Sequence, residues 1–327
     1  MSGGPTSSTL AGRWELQRAI GSGAAGVLWA ATDRETYTTV AVKVARSAGH
    51  SFTDEARLQA QVDSPYVARV LDSGVAGDSG QTAGAYLVQE LVPGVNLRDL
   101  LRSSTPHNVD VTAWAYGLLR ALQSLAAEGI VHRDIKPSNI MIPLTAGGSP
   151  APQPKLVDFG TAARGVNSDD DASSSGTVLY MSPEQARGSG VGTASDMYSL
   201  GLVLLECLTG DRAFCLPAIE SLVARTLRNP VIPDTVPVFW QRLIRAMTSM
   251  DPALRPTPAE ALAMLTGPDV LTGPDVLAGP DMLTGPEMLT GPDVLTGPDV
   301  LTGPDVLTGS DAVSHGLRTE PDLALAV

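Results

Sequence analysis

From Leu265 onward the chain repeats LTGPDV eight times with small variations, ending at Ala312, and this tract limits where a fold can lie. Proline occupies seven of the eight units. Each proline removes a backbone donor, so the period of six does not suit the stacked, hydrogen-bonded turns of a left-handed β-helix. Glycine and aspartate at fixed offsets suggest calcium repeats, but the paired glycines of that motif are missing. Residues 266–327 read as a flexible acidic tail, and the fold belongs to the residues before it. Charge divides at the same place. Ten acidic side chains against one arginine put −9 of the net −13 into residues 265–327, so −4 belongs to residues 1–264. That balance gives no sign of a nucleic-acid surface and does not oppose an ATP site.

With 327 residues, 43% of them hydrophobic, the chain can build a substantial core. Cys207 and Cys215 have no paired ligand spacing and read as reduced core thiols. Met1 to Thr9 lacks the basic and apolar regions of a signal peptide, and residues 1–13 read as a disordered leader. Leu200 to Leu208 is too short to span a bilayer and contains Glu206, so a cytoplasmic chain without a membrane span is expected.

After the leader, Trp14 to Ile20 reads as a strand that enters Gly21-Ser22-Gly23-Ala24-Ala25-Gly26 and leaves as a second apolar run, Val27 to Thr32. A glycine loop between two strands fits a flap over nucleotide phosphates, whereas one that opens a helix fits a dinucleotide site. Glycines there permit unusual backbone angles and close approach of N–H groups to anions, and an ordinary glycine-rich turn is the plain alternative. Val40 to Val44 alternates as a strand, with Lys43 on the face opposite Val42 and Val44, so Lys43 is either an exposed edge lysine or a phosphate anchor. Phe52 to Val62 reads as a helix stopped by Ser64-Pro65; its Glu55 is the nearest acid to pair with Lys43, with Asp54 beside it. Strands at Val67 to Leu71 and Ala85 to Leu91, separated by a loop over 72–84, complete a lobe of five strands and one helix.

Beyond Glu90-Leu91-Val92-Pro93-Gly94 the pattern turns helical, at Asn96 to Leu101 and Val111 to Glu128. Gly129 ends the second helix, and a short strand, Ile130-Val131, leads into His132-Arg133-Asp134-Ile135-Lys136-Pro137-Ser138-Asn139. That octet supplies what phosphoryl transfer needs. Asp134 can orient and deprotonate an attacking hydroxyl, Lys136 can neutralise charge on the moving group, and Asn139 can offer an amide oxygen to Mg2+. A hairpin at Ile140 to Ile142 and Lys155 to Val157 follows, interrupted by an exposed, mobile Pro, Gly and Ala-rich insertion over 143–154, and then comes Asp158-Phe159-Gly160. Residues 161–181 form a long polar loop, closed by Ser182-Pro183-Glu184. Helices are expected at Asp196 to Thr209, Ala218 to Leu227, Phe239 to Met250 and Ala259 to Leu265.

These motifs stand in the order and approximate spacing of eukaryotic-type protein kinases. The chain resembles a Ser/Thr protein kinase, most closely the bacterial Hanks-type branch, over about residues 14–265; Tyr180-Met181-Ser182-Pro183-Glu184-Gln185 is a familiar form of the segment that ends the activation loop. The resemblance implies an α+β, bilobal protein-kinase-like fold, with a small antiparallel β-sheet N-lobe carrying one helix (14–91) and a mainly helical C-lobe (92–265). It implies ATP and Mg2+, with Mn2+ as an alternative, and proteins bearing Ser or Thr as substrates.

The same resemblance assigns roles. Ile20, Gly21, Ser22, Gly23 and Gly26 would cover the phosphates, Lys43 would contact the α- and β-phosphates, and Glu55 would hold Lys43. Val27, Ala41 and Met141 would line the adenine pocket, with backbone bonds from Glu90 to Val92. Asp158 and Asn139 would take the metal, and Asp134 the substrate hydroxyl. Lys136 and Thr177, which would bridge Asp134 and Lys136, match the Ser/Thr rather than the Tyr form. His132 would pack on Phe159. Glu184 would pair with Arg255, and Asp196 would brace the catalytic loop, with simple helix capping, which would place the residue similarly, as the lesser alternative. Arg133 would pair with a phosphate on Ser173, Ser174, Ser175 or Thr177, added by autophosphorylation through a transient dimer. Ala24-Ala25 departs from the larger tip residue common in the family and removes no catalytic group. A pseudokinase scaffold is the competing function, opposed by the intact Lys43, Asp134, Asn139 and Asp158. A third reading makes the tail an interaction array carried by the kinase lobe.

Overall fold

The structure is a computed structural model. It describes residues 8–47, 49–77, 84–103, 105–165 and 177–267. The repeat tail beyond Gly267 and Ser173, Ser174 and Ser175 lie outside the described residues, as does the side chain of Thr177.

Seven strands precede the first long helix: β1 (Ser8–Leu10), β2 (Trp14–Ser22), β3 (Gly26–Asp33), β4 (Thr39–Ala45), β5 (Val70–Ala76), β6 (Gly84–Glu90) and β7 (Gly94–Asn96), with α1 (Thr53–Gln59) between β4 and β5. The first six make one antiparallel sheet in the order β1-β2-β3-β4-β6-β5. Alternation along β4 explains its two faces. Val40, Val42 and Val44 join Leu10, Trp14, Leu16, Tyr86 and Val88 in one buried cluster. Ala41 and Lys43 point the other way, toward α1, whose Ala56 packs with Phe52, Ala85 and Leu87.

The second lobe is helical: α2 (Leu97–Ser103), α3 (Asn108–Ala127), α4 (Pro183–Ala186), α5 (Thr193–Thr209), α6 (Ala218–Leu227), α7 (Val238–Met247) and α8 (Pro258–Leu265). Its core gathers Trp114, Leu118 and Leu122 of α3, Leu200, Val203 and Leu204 of α5, and Leu243, Ile244 and Met247 of α7. Fully burying side chains of this size contributes roughly 1.5–3 kcal/mol each. α5 is buried along most of its length and stops at Gly210, whose φ of 76° is the left-handed conformation that closes a helix without a Cβ clash. Short strands carry the loops of interest. β8 (Ile130–Val131) pairs with β11 (Ala163–Arg164), and β9 (Ile140–Pro143) lies between β10 (Lys155–Leu156) and β7. Leu156 also bonds to Tyr66 and Ala68, at 2.8 and 2.9 Å, which ties the two lobes together behind the site.

Four expectations need correction. Residues 8–10, expected within a disordered leader, form a strand instead: Ser8–Leu10 pairs with Trp14–Leu16, and Leu10 is 1% exposed because it packs in the cluster of Trp14 and Val42. The sheet therefore has six strands rather than five. The strand expected at Val67 to Leu71 lies at Val70–Ala76, through residues read as a loop, because Asp72 accepts bonds there from Trp14 Nε1 and Tyr86 Oη, both at 3.2 Å. Cys207 is a core thiol, but Cys215 is exposed, since Phe214 takes the inward position in that turn. Within the long loop, residues 163–164 and a 3-10 turn at Thr177–Leu179 are regular.

Candidate active site

Lys43 stands on the inward face of β4, and its ammonium bridges two carboxylates. Nζ lies 2.9 Å from Glu55 Oε1 on α1 and 2.9 Å from Asp158 Oδ1. Burial alone lowers its pKa, but Asp158 and Glu55 more than reverse that and hold the ammonium above the ordinary lysine value. Burial raises the Glu55 pKa and Asp158 adds to it against the pull of Lys43, so of the two acids Glu55 is the one driven upward. For Asp158, burial is outweighed by Lys43, and the carboxylate sits below its ordinary value. Gly160 makes room for the three groups: a Cβ there would meet Asp158 Oδ1 at 3.3 Å and Glu55 Oε2 at 3.5 Å.

The glycine hairpin joins β2 to β3, with Gly23 N–H donating to the Gly26 carbonyl at 2.9 Å. Gly26 has no alternative, because a Cβ would overlap the Val44 carbonyl of the neighbouring strand. Ile20, Gly21 and Ser22 lie at the end of β2, Val27 at the start of β3, and Arg46 bonds the Ser22 hydroxyl. Ala41 and Val92 are buried, while Met141 is half-buried on β9. The Glu90 side chain pairs with Lys155 at 2.6 Å and accepts the Arg69 N–H.

In the loop after β8, Asp134 Oδ2 is held by Lys136 Nζ at 2.7 Å and by Asn139 Nδ2 at 3.0 Å. Asn139 Nδ2 also donates to the Asp134 carbonyl, which fixes the amide and turns Oδ1 away from Asp134. Asn139 Oδ1 and the Asp158 carboxylate are oxygen donors of the kind a hard divalent cation takes. Among the described residues no cluster of three or more His, Cys, Asp or Glu could cage a metal, so this donor set fits an ion completed by phosphate and water rather than one held by protein alone.

Backbone conformation shapes both the loop after β8 and the turn at Asp158. Arg133 and Asp158 both have left-handed backbones, with φ of 68° and 64°. For a non-glycine residue this conformation costs about 1–2 kcal/mol. Arg133 is held in it from both sides: its N–H donates to Asp196 Oδ1 at 2.8 Å, and its carbonyl accepts from Gln185 Nε2, also at 2.8 Å. Asp196 Oδ2 takes the His132 N–H at 2.7 Å. The cap of α5 is Gly192, so Asp196 braces the loop and does not cap its helix. Burial pushes the Asp196 pKa up to about 7, and the two N–H groups and Arg133 pull it back only in part. His132 is fully buried, driven below its ordinary pKa by that burial, and packs edge-on against Phe159 with ring centroids 4.7 Å apart. Glu184 and Arg255 form a two-pronged pair at 2.6 and 2.9 Å, with Ser195 completing it.

Gln185, Ser195 and Ser199 were not singled out by the sequence; only their place beside a motif could have pointed to them. Two lobes joined in this way, with a lysine clamped between carboxylates and a loop that presents aspartate, lysine and asparagine, have the architecture of a protein kinase. Residues 14–265 match the protein kinase domain family, and the chain belongs to that family, in its bacterial Hanks-type Ser/Thr branch. It is 36% identical to the serine/threonine-protein kinase PknA of Mycobacterium tuberculosis over 263 residues, which cover 76% of this chain and 59% of PknA. It is 36% identical to PknB of the same organism over 245 residues, 70% of this chain and 38% of PknB. The probable serine/threonine-protein kinase PkwA of Thermomonospora curvata is 37% identical over 219 residues, 66% of this chain and 28% of PkwA. The chain thus spans less than two thirds of the length of these relatives.

Proposed function

We propose that the chain is an ATP-dependent Ser/Thr protein kinase, which moves the γ-phosphoryl group of ATP to Ser or Thr hydroxyls of proteins. The observation that carries this reading is the double clamp on Lys43, 2.9 Å from carboxylates of both lobes. It supplies one fixed cation for phosphate oxygens, with acids that keep it aligned. ATP lies under the hairpin of Gly21, Gly23 and Gly26, its adenine against Val27, Ala41, Val92 and Met141 and along the backbone of Glu90 to Val92. Mg2+, or Mn2+ in its place, is held by Asn139 and Asp158 and when bound neutralises charge on the phosphates.

Asp134 orients the acceptor hydroxyl and takes its proton as the new O–P bond forms and the bond from the γ-phosphorus to the ADP oxygen breaks. Its effect is mainly positional, since Lys136 and Asn139 fix the carboxylate on one side. Lys136 offsets charge on the phosphoryl group in transit. Arg133 receives a phosphate added to the loop at Ser173, Ser174, Ser175 or Thr177 by a transiently docked second copy. An enzyme using ATP works in the compartment that holds it, and we place the kinase domain in the cytoplasm. Among the described residues no helix is long and apolar enough to cross a membrane.

Incubation with labelled ATP and Mg2+, comparing the natural chain with Asp134→Asn and Lys43→Met, tests the proposal. Labelling of protein by the natural chain alone is expected, and equal labelling in all three would defeat it. Mass spectrometry of the active enzyme is expected to find phosphate within residues 168–177.

A further inference from the structure

Glu55 and Asp158 hold Lys43 from different lobes, so the clamp is only as fixed as the distance between α1 and the turn at Asp158. One buried side chain begins the connection between them. Gln59 ends α1 four residues after Glu55, on the same face of the helix, and is 1% exposed. Its Nε2 donates to the Ala68 carbonyl at 2.7 Å and to Gln89 Oε1 of β6 at 3.2 Å. Both amide hydrogens are used, and because the Ala68 carbonyl can only accept, the amide has one orientation. Turned over, its oxygen would face that carbonyl. In the orientation it takes, Oε1 is buried and meets no donor among the described residues. A buried acceptor left unbonded is unfavourable, and an apolar side chain would fill the position without that cost. What the glutamine adds is its two donors.

The Ala68 peptide is a relay. While its carbonyl accepts from Gln59, its N–H donates to the Leu156 carbonyl of β10 at 2.9 Å. Leu156 stands two residues before Asp158, and Val157 between them donates its N–H to the Asn139 carbonyl at 3.0 Å. Ala68 and Leu156 are 0% and 1% exposed, so water does not compete for the bond between them. The path runs from the face of α1 that carries Glu55, through one peptide, to the segment that delivers Asp158 and borders Asn139. Hydrogen bonds weaken steeply off line, whereas apolar burial is not directional, so this path fixes α1 more closely than packing does.

We propose that Gln59 is a positioning residue for the Lys43 clamp: by bonding the Ala68 carbonyl it ties α1 to the segment that carries Asp158, and so sets the spacing of the two carboxylates that hold the ammonium. The inference rests on the kinase reading and deepens it. Among the described residues the Gln59 side chain bonds only Ala68 and Gln89, so its effect on the reaction passes through Glu55.

The test is a double-mutant cycle in the full chain: the natural protein, Gln59→Met, Glu55→Gln and the double variant, with kcat and KM for ATP and for a Ser/Thr peptide expressed per folded molecule. Gln59→Met keeps the length of the side chain and loses its donors. It should lower kcat about fivefold and leave both KM values unchanged, since a misaligned lysine loses contacts made in the transition state rather than in binding. In the Glu55→Gln background the same change should cost nothing further, because the carboxylate that Gln59 positions is already gone. A fall of the same size in both backgrounds, or none in the natural one, would overturn the role of Gln59. Amide exchange in the natural chain is the second measurement, and it decides the matter where Gln59→Met does not fold. The N–H groups of α1 and of Ala68 should open together, and separate opening would overturn the tie. A natural chain that labels no protein at all would instead overturn the kinase reading, and this inference with it.

Discussion

Two ion clusters, built from similar residues, behave differently because one is balanced and the other is not. Glu184 and Arg255 pair one acid with one base, with side chains 7% and 0% exposed. Arg255 spends its remaining donors on the Ser249 and Ala194 carbonyls, and Glu184 accepts from Ser195. Lys43 faces two carboxylates, and one of them, Asp158, is 46% exposed. The first cluster is closed and has nothing left to bind. The second sets two carboxylates against one ammonium with the Asp158 side chain open to solvent, which is where a divalent cation would be drawn. Closed pairs build the lobe, and under the proposed kinase function the open cluster would serve the reaction.

The comparison is broken most sharply at Asp158. Asp158→Asn removes the surplus charge and should lower phosphoryl transfer on the order of 10³-fold, about 4 kcal/mol of transition-state stabilisation. The fold should be unharmed, because Lys43 keeps Glu55. Steady-state kinetics beside a urea titration checks both halves. Arg255→Met should do the reverse. It leaves Glu184 buried without its partner and should cost about 3 kcal/mol or more of stability, with activity falling only as folded protein is lost. A double Glu184→Met and Arg255→Met variant should recover part of that loss, since the unpaired charge goes too.

Asp196 sharpens the contrast, because it is a scaffold acid that faces backbone rather than a full counter-ion. Its folded pKa of about 7 lies above the ordinary 3.8. The folded chain therefore keeps a proton that the unfolded chain has lost, and stability declines as pH rises from about 4 to about 7, by up to about 1.4 kcal/mol per pH unit. Below that window the contribution is level. Asp196→Asn should flatten the slope, as measured by urea unfolding at several pH values. An unchanged slope would assign the pH dependence to another group.

Much of this division could be read in the sequence where chemistry is written locally. The glycine hairpin, the alternation that sets Lys43 opposite Val42 and Val44 and the acid-lysine-amide octet each lie within a few residues, and the strands that carry the hairpin and Lys43 lie where the sequence patterns put them. What was hidden depends on distant partners. Ser8–Leu10 is too short to read as a strand until Leu10 is seen covering Trp14 and Val42. Asp72, Ser73 and Gly74 look like a turn, and lie in a strand only because Trp14 and Tyr86 reach Asp72. Arg225 looks like a helix-surface cation until the carbonyls of Leu179 and Met181 arrive beneath it. No local pattern distinguishes a helix arginine that bonds distant carbonyls from one that faces water.

Glu55 gives the finest test, since it belongs to the open cluster but is itself 7% exposed, like a member of the closed one. Burial raises its pKa above the ordinary 4.5, and Asp158 adds to the rise while Lys43 opposes it. A carboxyl raised in the folded state loses stability as pH climbs through the interval above 4.5, so Glu55→Gln should remove that loss and leave the protein at least as stable at neutral pH. Its activity should fall only about tenfold, because Lys43 retains Asp158 as one of its two anchors. A fall as large as that of Asp158→Asn would show that both carboxylates serve the reaction equally. The surplus charge would then not be what separates the open cluster from the closed one, and the alignment of Lys43 alone would take its place.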